Sequence, residues 1–282
     1  LRQEVRHEGV KAFVLPVDAT AARTWAERLR TGMAKPHEPV DDLHPELRRR
    51  VDAAADAVRS CPTLRADLRY TVRDPMLGTT ETRTGWLAFA NATDEVPQRY
   101  RVHFETLQME DGPPRRSRVD YAWDGHWLTV KKHKIKQLTH YQVVPKGEKA
   151  DLLEMGRGPF PLPFGIRTAA LAKHYRISAC PACPDGPKNT RALRFGVRPR
   201  YRDDLNIREM TLWVHDETHL PMQVTVTDRN GKRISAAFAD VKVNTDVDAG
   251  AFKLARPAGW QERWERLRGE EHHLHRQHRR GP

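Results

Sequence analysis

The sequence predicts an α+β protein: one long antiparallel sheet that is dry on one face, with helices to cover that face. Three observations carry this. Residues 212–260 alternate apolar and polar side chains with a period of two, through Leu212/Val214, Met222/Val224/Val226 and Ile234/Ala236/Phe238. The same alternation runs through most of the chain from Leu64 onward. Ahead of it, residues 45–59 carry apolar residues at helical spacing. A sheet patterned in this way must cover something apolar, either a packed core or a cavity that holds a ligand.

Taken in order, residues 1–40 form an appendage with a short amphipathic helix, where Ala21, Trp25, Leu29 and Met33 fall four apart and Asp18 or Thr20 offers a cap. That stripe is expected to pack on the domain rather than on a membrane. The second helix, Pro45–Arg59, puts Leu47, Val51, Ala54, Ala55 and Val58 on one side and tolerates Pro45 in its first turn. Strands are expected over 64–73, 82–91, 100–108, 116–123, 126–131 and 135–144, punctuated by Gly78, Asp111-Gly112 and Asp124-Gly125. Tyr100/Val102/Phe104 and Val119/Tyr121/Trp123 form apolar rows, and Arg101/His103/Glu105 and Arg118/Asp120 form polar ones.

After Pro145 the pattern breaks into a short helix at 150–155, the apolar Gly/Pro turn GPFPLPFG, and a helix at 166–174. Apolar irregular backbone of this kind is expected to cap one end or face of the sheet. Strands resume at 175–179 and 191–197, around the loop ACPACPDGPKN, and lead into the late meander. There Asn230-Gly231 supplies the two positive-φ residues of a type I′ hairpin. Residues 261–282, QERWERLRGEEHHLHRQHRRGP, are expected as a charged, His- and Arg-rich helix or frayed tail. The globular domain is therefore expected over 41–260.

A chain of 282 residues with 38% hydrophobic and 30% charged residues buries a sizeable core and is not disordered. No run of 18 apolar residues offers a membrane span. The chain opens at Leu1 without a signal-like segment, which fits either a removed export signal or simple trimming. The net charge of +12 and pI near 9.9 permit attraction to anions, but Lys and Arg alternate with Asp and Glu as on a solvated face. That mixing argues against nucleic acid as a partner. The basic run Lys131–Lys136, KKHKIK, is expected on a solvated hairpin turn.

Few residues invite chemistry. Cys180 and Cys183 have CxxC spacing, but no helix follows them, so a loop-pinning disulfide or a pair of free thiols is expected ahead of redox catalysis. Zinc there would need two more ligands, with Cys61 and His174 conceivable, and His272, His273, His275 and His278 could chelate only adventitiously. Neither a resident metal nor a cofactor is expected. Nucleophile-elbow, metalloprotease, P-loop and dinucleotide motifs are absent, and no catalytic residue is expected.

The order of helix, antiparallel meander, helical insert and returning strands resembles the LolA/LolB group of outer-membrane lipoprotein carriers, with their RseB-type lipid-sensing relatives. Residues 119–144 are similar to that family's strand pair, with Asp124-Gly125 at the turn, Trp127 after it and Gln137-Leu138-Thr139 on the return. Thr218 and Leu220-Pro221 resemble its entry into the late strands, and Phe238, Asn244, Phe252 and Pro257-Ala258-Gly259 resemble its ending. Where the family carries a functional arginine, this chain reads FANATDEVPQRY, with Asn91 and Pro97.

The resemblance implies a LolA-like half-open β-barrel whose curved sheet is covered by helices, with a lid insert at about 148–174. It also implies a non-enzymatic, periplasmic or otherwise extracytoplasmic carrier of lipid or lipoprotein acyl chains, with a membrane-associated donor or acceptor protein as further partner. Leu87, Phe89, Tyr100, Val102, Phe104, Tyr121, Trp123, Leu212 and Val214 are the expected lining, and Phe160, Leu162 and Phe164 the lid. Burying an acyl chain gains about 0.8 kcal/mol per CH₂, so such a face must be apolar. The alternative is a structural or signalling module of the same fold that binds a protein.

Overall fold

In the computed structural model the described residues are 43–143, 168–183, 185–202 and 207–266. The appendage, the expected helix at 150–155, the GPFPLPFG turn and the His-rich tail lie outside them. Helix α1, Pro45–Arg59, opens with Pro45 in its first turn, and the His44 ring accepts the Glu46 amide. Val51, Ala54, Ala55 and Val58 form its buried side. Helix α2, Thr168–His174, buries Leu171 and Ala172. The two helices pack on each other, and α1 also meets the strand that follows α2.

Among the described residues twelve strands make one sheet: β1 (Thr63–Asp74), β2 (Thr79–Ala90), β3 (Arg99–Met109), β4 (Arg115–Trp123), β5 (Trp127–Lys132), β6 (Gln137–Gln142), β7 (Tyr175–Ala179), β8 (Thr190–Val197), β9 (Ile207–His215), β10 (Pro221–Asp228), β11 (Arg233–Val243) and β12 (Gln261–Glu265). Their spatial order is β12-β6-β5-β4-β3-β2-β1-β11-β10-β9-β8-β7. Every pairing is antiparallel except β12 on β6. Among the described residues β12 and β7 are the outer edges, and no pairing between them closes the sheet. Laid flat it would be about 50 Å wide. It curls instead into a half-open barrel, so that residues from β6 at one side to β7 at the other join α1 and Leu171 in a single apolar cluster.

Alternation decides which side chains enter that cluster. β1 sends in Leu64, Ala66, Leu68, Tyr70 and Val72 and leaves Arg65, Asp67 and Arg69 outside. Pairing transmits the choice across the sheet, since Leu64 faces Phe89 and Ala66 faces Leu87, which in turn face Tyr100 and Val102. A register shift between Thr84 and Gly85 leaves Glu105 of β3 as the extra residue. Gly85 lies so close to the His103 carbonyl there that a Cβ would collide with it.

Three local expectations need correction. The Asn230-Gly231 hairpin forms, but only Gly231 has positive φ (81°), so the turn is not type I′. The Gly231 amide donates to the Asp228 carbonyl and the Asp228 amide to the Lys232 carbonyl, which makes a longer loop with glycine in the left-handed position. The Asp228 carboxylate selects it by accepting the Asn230 and Lys232 amides. Second, Ile135 does not start β6. It sits exposed in the turn, where Lys136 takes φ 50°. Third, residues 261–265 are neither helical nor frayed but form β12 on β6.

Candidate functional site

Nine of the twelve residues expected to line a cavity are described, and the fold brings all nine together. Leu87, Phe89, Tyr100, Val102, Phe104, Tyr121, Trp123, Leu212 and Val214 are buried members of the one apolar cluster on the dry face. Phe160, Leu162 and Phe164 lie outside the described residues. Tyr70, Phe104 and Tyr121 form a chain of ring contacts, with centroids 5.7 Å apart for the first pair and 6.2 Å for the second, the latter edge-on. Burial pushes the Tyr70, Tyr100 and Tyr121 hydroxyls far above their ordinary range, so these phenols stay neutral.

Two charged residues stand on this same face, and the sequence reading missed them. Along β2 the inward residues are Glu81, Arg83, Gly85, Leu87 and Phe89, because Arg83 is directly opposite Tyr70 and Glu81 opposite Val72. Arg83 Nε donates to Glu81 Oε1 at 2.6 Å, and both side chains are over 90% buried. The guanidinium carbon lies 5.9 Å from the centre of the Phe104 ring. Extending the Leu87/Phe89 alternation two and three steps toward the N-terminus would have found both residues.

The opposite face is covered in part by the C-terminal segment. Phe252 packs with Ala88 and Ala90, and Trp86 and Val247 flank them. Asp120 anchors this side with 2% of its side chain exposed. It accepts from Arg101 Nη2 (2.7 Å), His103 Nδ1 (2.9 Å) and His133 Nε2 (2.7 Å). Burial works to raise its carboxyl pKa, but these three hydrogen bonds outweigh it and hold the group well below the usual carboxylate range. His103 has Asp120 at one nitrogen and Glu105 at the other, and its bond to Asp120 above all raises its pKa against the opposing effect of burial, which favours the protonated ring.

Arg101 also donates to the Ala251 carbonyl, and Lys131 to that of Ala255 while its ammonium sits over Trp260. Farther along, His140 is clasped by Thr129 and Glu262 and stacks on Trp264 at 3.8 Å. The polar rows expected from alternation thus serve to bind the chain's own C-terminal segment to the back of the sheet. Lys131 of the basic run takes part in this, and Lys134 and Lys136 lie in the expected hairpin turn.

Cys180 and Cys183 form a disulfide in the β7–β8 loop, one of the two arrangements expected. Cys61 Sγ donates to the Ala57 carbonyl, with burial raising its pKa, and His174 Nδ1 donates to the Ala170 carbonyl. Among the described residues no group of three or more His, Cys, Asp and Glu is arranged to hold a metal. Asn91 donates to the carbonyls of Val58 and Arg59 and ties the end of α1 to β2. No helix of the described residues is long and apolar enough to cross a membrane.

Comparison with known proteins agrees with the resemblance. Residues 186–255 match the family model of the outer membrane lipoprotein carrier protein LolA. That span is β8 to β11 and the following turn, the part of the chain whose strand entry and ending resemble the family. No curated protein matches the chain. Among solved structures it is similar to an uncharacterized conserved protein of Thermus thermophilus, at 13% identity and TM-score 0.44, covering 77% of this chain and 99% of that one. Mycobacterium tuberculosis lipoprotein LppX gives 13% identity and TM-score 0.44, covering 73% and 100%. MucB from Pseudomonas aeruginosa, solved in complex with MucA, gives 13% and 0.43 over 74% of this chain and 61% of that structure's chain.

Proposed function

We propose that this protein binds and carries lipid or lipoprotein acyl chains in an extracytoplasmic compartment, without catalysing a reaction. The observation that carries the reading is the continuous apolar face of the half-open barrel, on which the nine lining residues converge under α1 and α2. The match of residues 186–255 to a lipoprotein carrier family supports it. An acyl chain laid on this face exchanges water for aliphatic and aromatic contacts along its whole length, at about 0.8 kcal/mol per CH₂. A membrane-associated protein delivers or accepts the cargo.

Native mass spectrometry of the purified full chain, followed by displacement of a fluorescent acyl probe from the delipidated protein, tests this. Co-purified lipid, or saturable probe binding that long-chain acids compete away, is the expected result. A protein that carries no lipid and takes up no acyl probe would refute the proposal.

A further inference from the structure

Resting on that reading, we infer that Arg83 is the polar end of the acyl site: its guanidinium receives the carbonyl oxygen of the acyl group, whether free acid or ester. Three observations converge on it. Arg83 belongs to the dry face, directly across from Tyr70 and diagonal to Phe104, so its head lies among the aromatic rings. It is only 5% exposed, its Nε is committed to Glu81, and its Nη1 is buried without a hydrogen-bond partner. A guanidinium never loses its proton inside a protein, so donors left unmet in apolar surroundings are costly and call for an acceptor oxygen.

The identity of that acceptor follows from the charges. Glu81 already neutralises Arg83, and Tyr70 and Tyr121 beside the pair are held as neutral phenols. The open donor therefore suits a carbonyl dipole as well as a carboxylate, which is the chemistry common to a fatty acid and an acyl ester. Placement fits too. Arg83 precedes Leu87 and Phe89 on the same face of β2, and from Arg83 to Phe89 the strand runs about 20 Å, enough for a long acyl chain to lie along it with its carbonyl at one end.

The test compares hexadecanoic acid, its methyl ester and hexadecane as competitors for the acyl probe on the delipidated full chain. The wild type should prefer both the acid and the ester over the alkane by about ten-fold or more. Arg83→Met should erase that preference, once each inhibition constant is corrected for the variant's own affinity for the probe. The double variant Glu81→Met/Arg83→Met, which removes both charges at once and so avoids a lone buried carboxylate, should behave the same way. Glu81→Gln should shift preference from ester toward acid. Equal competition by all three ligands in the wild type would overturn the assignment alone, as would an unchanged preference in either methionine variant. Failure of all three to compete would overturn the acyl-carrier reading with it.

Discussion

Replacing Asp120 by Asn should loosen the C-terminal segment from the back of the sheet. The substitution keeps the shape but withdraws the charge that Arg101, His103 and His133 share. Removing one partner of a fully buried ion pair costs about 3–5 kcal/mol. Here the partners are 16–23% exposed and regain some hydration, so about 2–4 kcal/mol is expected. For a domain of this size that lowers the melting temperature by about 5–15 °C. The pH dependence should change as well. His103 has a raised pKa, set first by its bond to Asp120, so its stabilisation is complete below the unfolded histidine value of about 6.5 and fades as pH rises through the higher folded value. Asp120 has a depressed pKa, so its own stabilisation holds above the unfolded carboxylate value of about 3.9 and is lost only in stronger acid. Thermal unfolding from about pH 5 to pH 9 should show wild-type stability declining above about pH 6.5, and that slope should flatten in the variant. A variant that melts within about 1 °C of wild type, or keeps the same slope, would refute this account of the cluster.

Gly85→Ala should destabilise by at least about 2–3 kcal/mol, against the usual gain of roughly half a kcal/mol for such a change, because the new Cβ meets the His103 backbone carbonyl. A neutral or raised melting temperature would contradict that close approach. Trp264→Ala should remove the stacking on His140 and the edge contact with Trp127, 5.0 Å between centroids, at a cost of about 0.5–1.5 kcal/mol. Trypsin should then cut after Arg263 roughly 2- to 10-fold faster, and an unchanged rate would mean that backbone pairing alone retains β12.

Much of the sheet was legible because one-faced burial writes its period directly into the residues. Tyr100/Val102/Phe104 and Val119/Tyr121/Trp123 could not face water, and the backbone offers no other way to hide every second side chain. What stayed illegible depends on contacts between distant residues. Nothing in QERWE announces a strand, since four of its five residues are exposed and its stability comes from the β6 backbone and from His140 and Trp127, more than a hundred positions earlier. The hairpin at Asn230-Gly231 shows a subtler failure. The dipeptide matches a tight turn, yet the carboxylate two residues ahead redirects the amides into a longer loop.

Arg83 differs from these, because its placement was available from parity and only its chemistry argued against it. An arginine two steps before a glycine in a mixed strand reads as solvated, and the neighbouring Thr82 and Thr84 reinforce that impression. Yet parity is unforgiving: with Leu87 and Phe89 inward, Arg83 and Glu81 must be inward too unless β2 carries a bulge, and the irregularity at Gly85 places its extra residue on β3. A structural purpose alone accounts poorly for the pair, since two apolar residues of similar size would pack the site at no greater cost and leave no donor unmet. A ligand with a polar end would make use of that donor. This is why the carbonyl-against-alkane comparison at Arg83 separates a carrier that orients its cargo from one that merely shelters it.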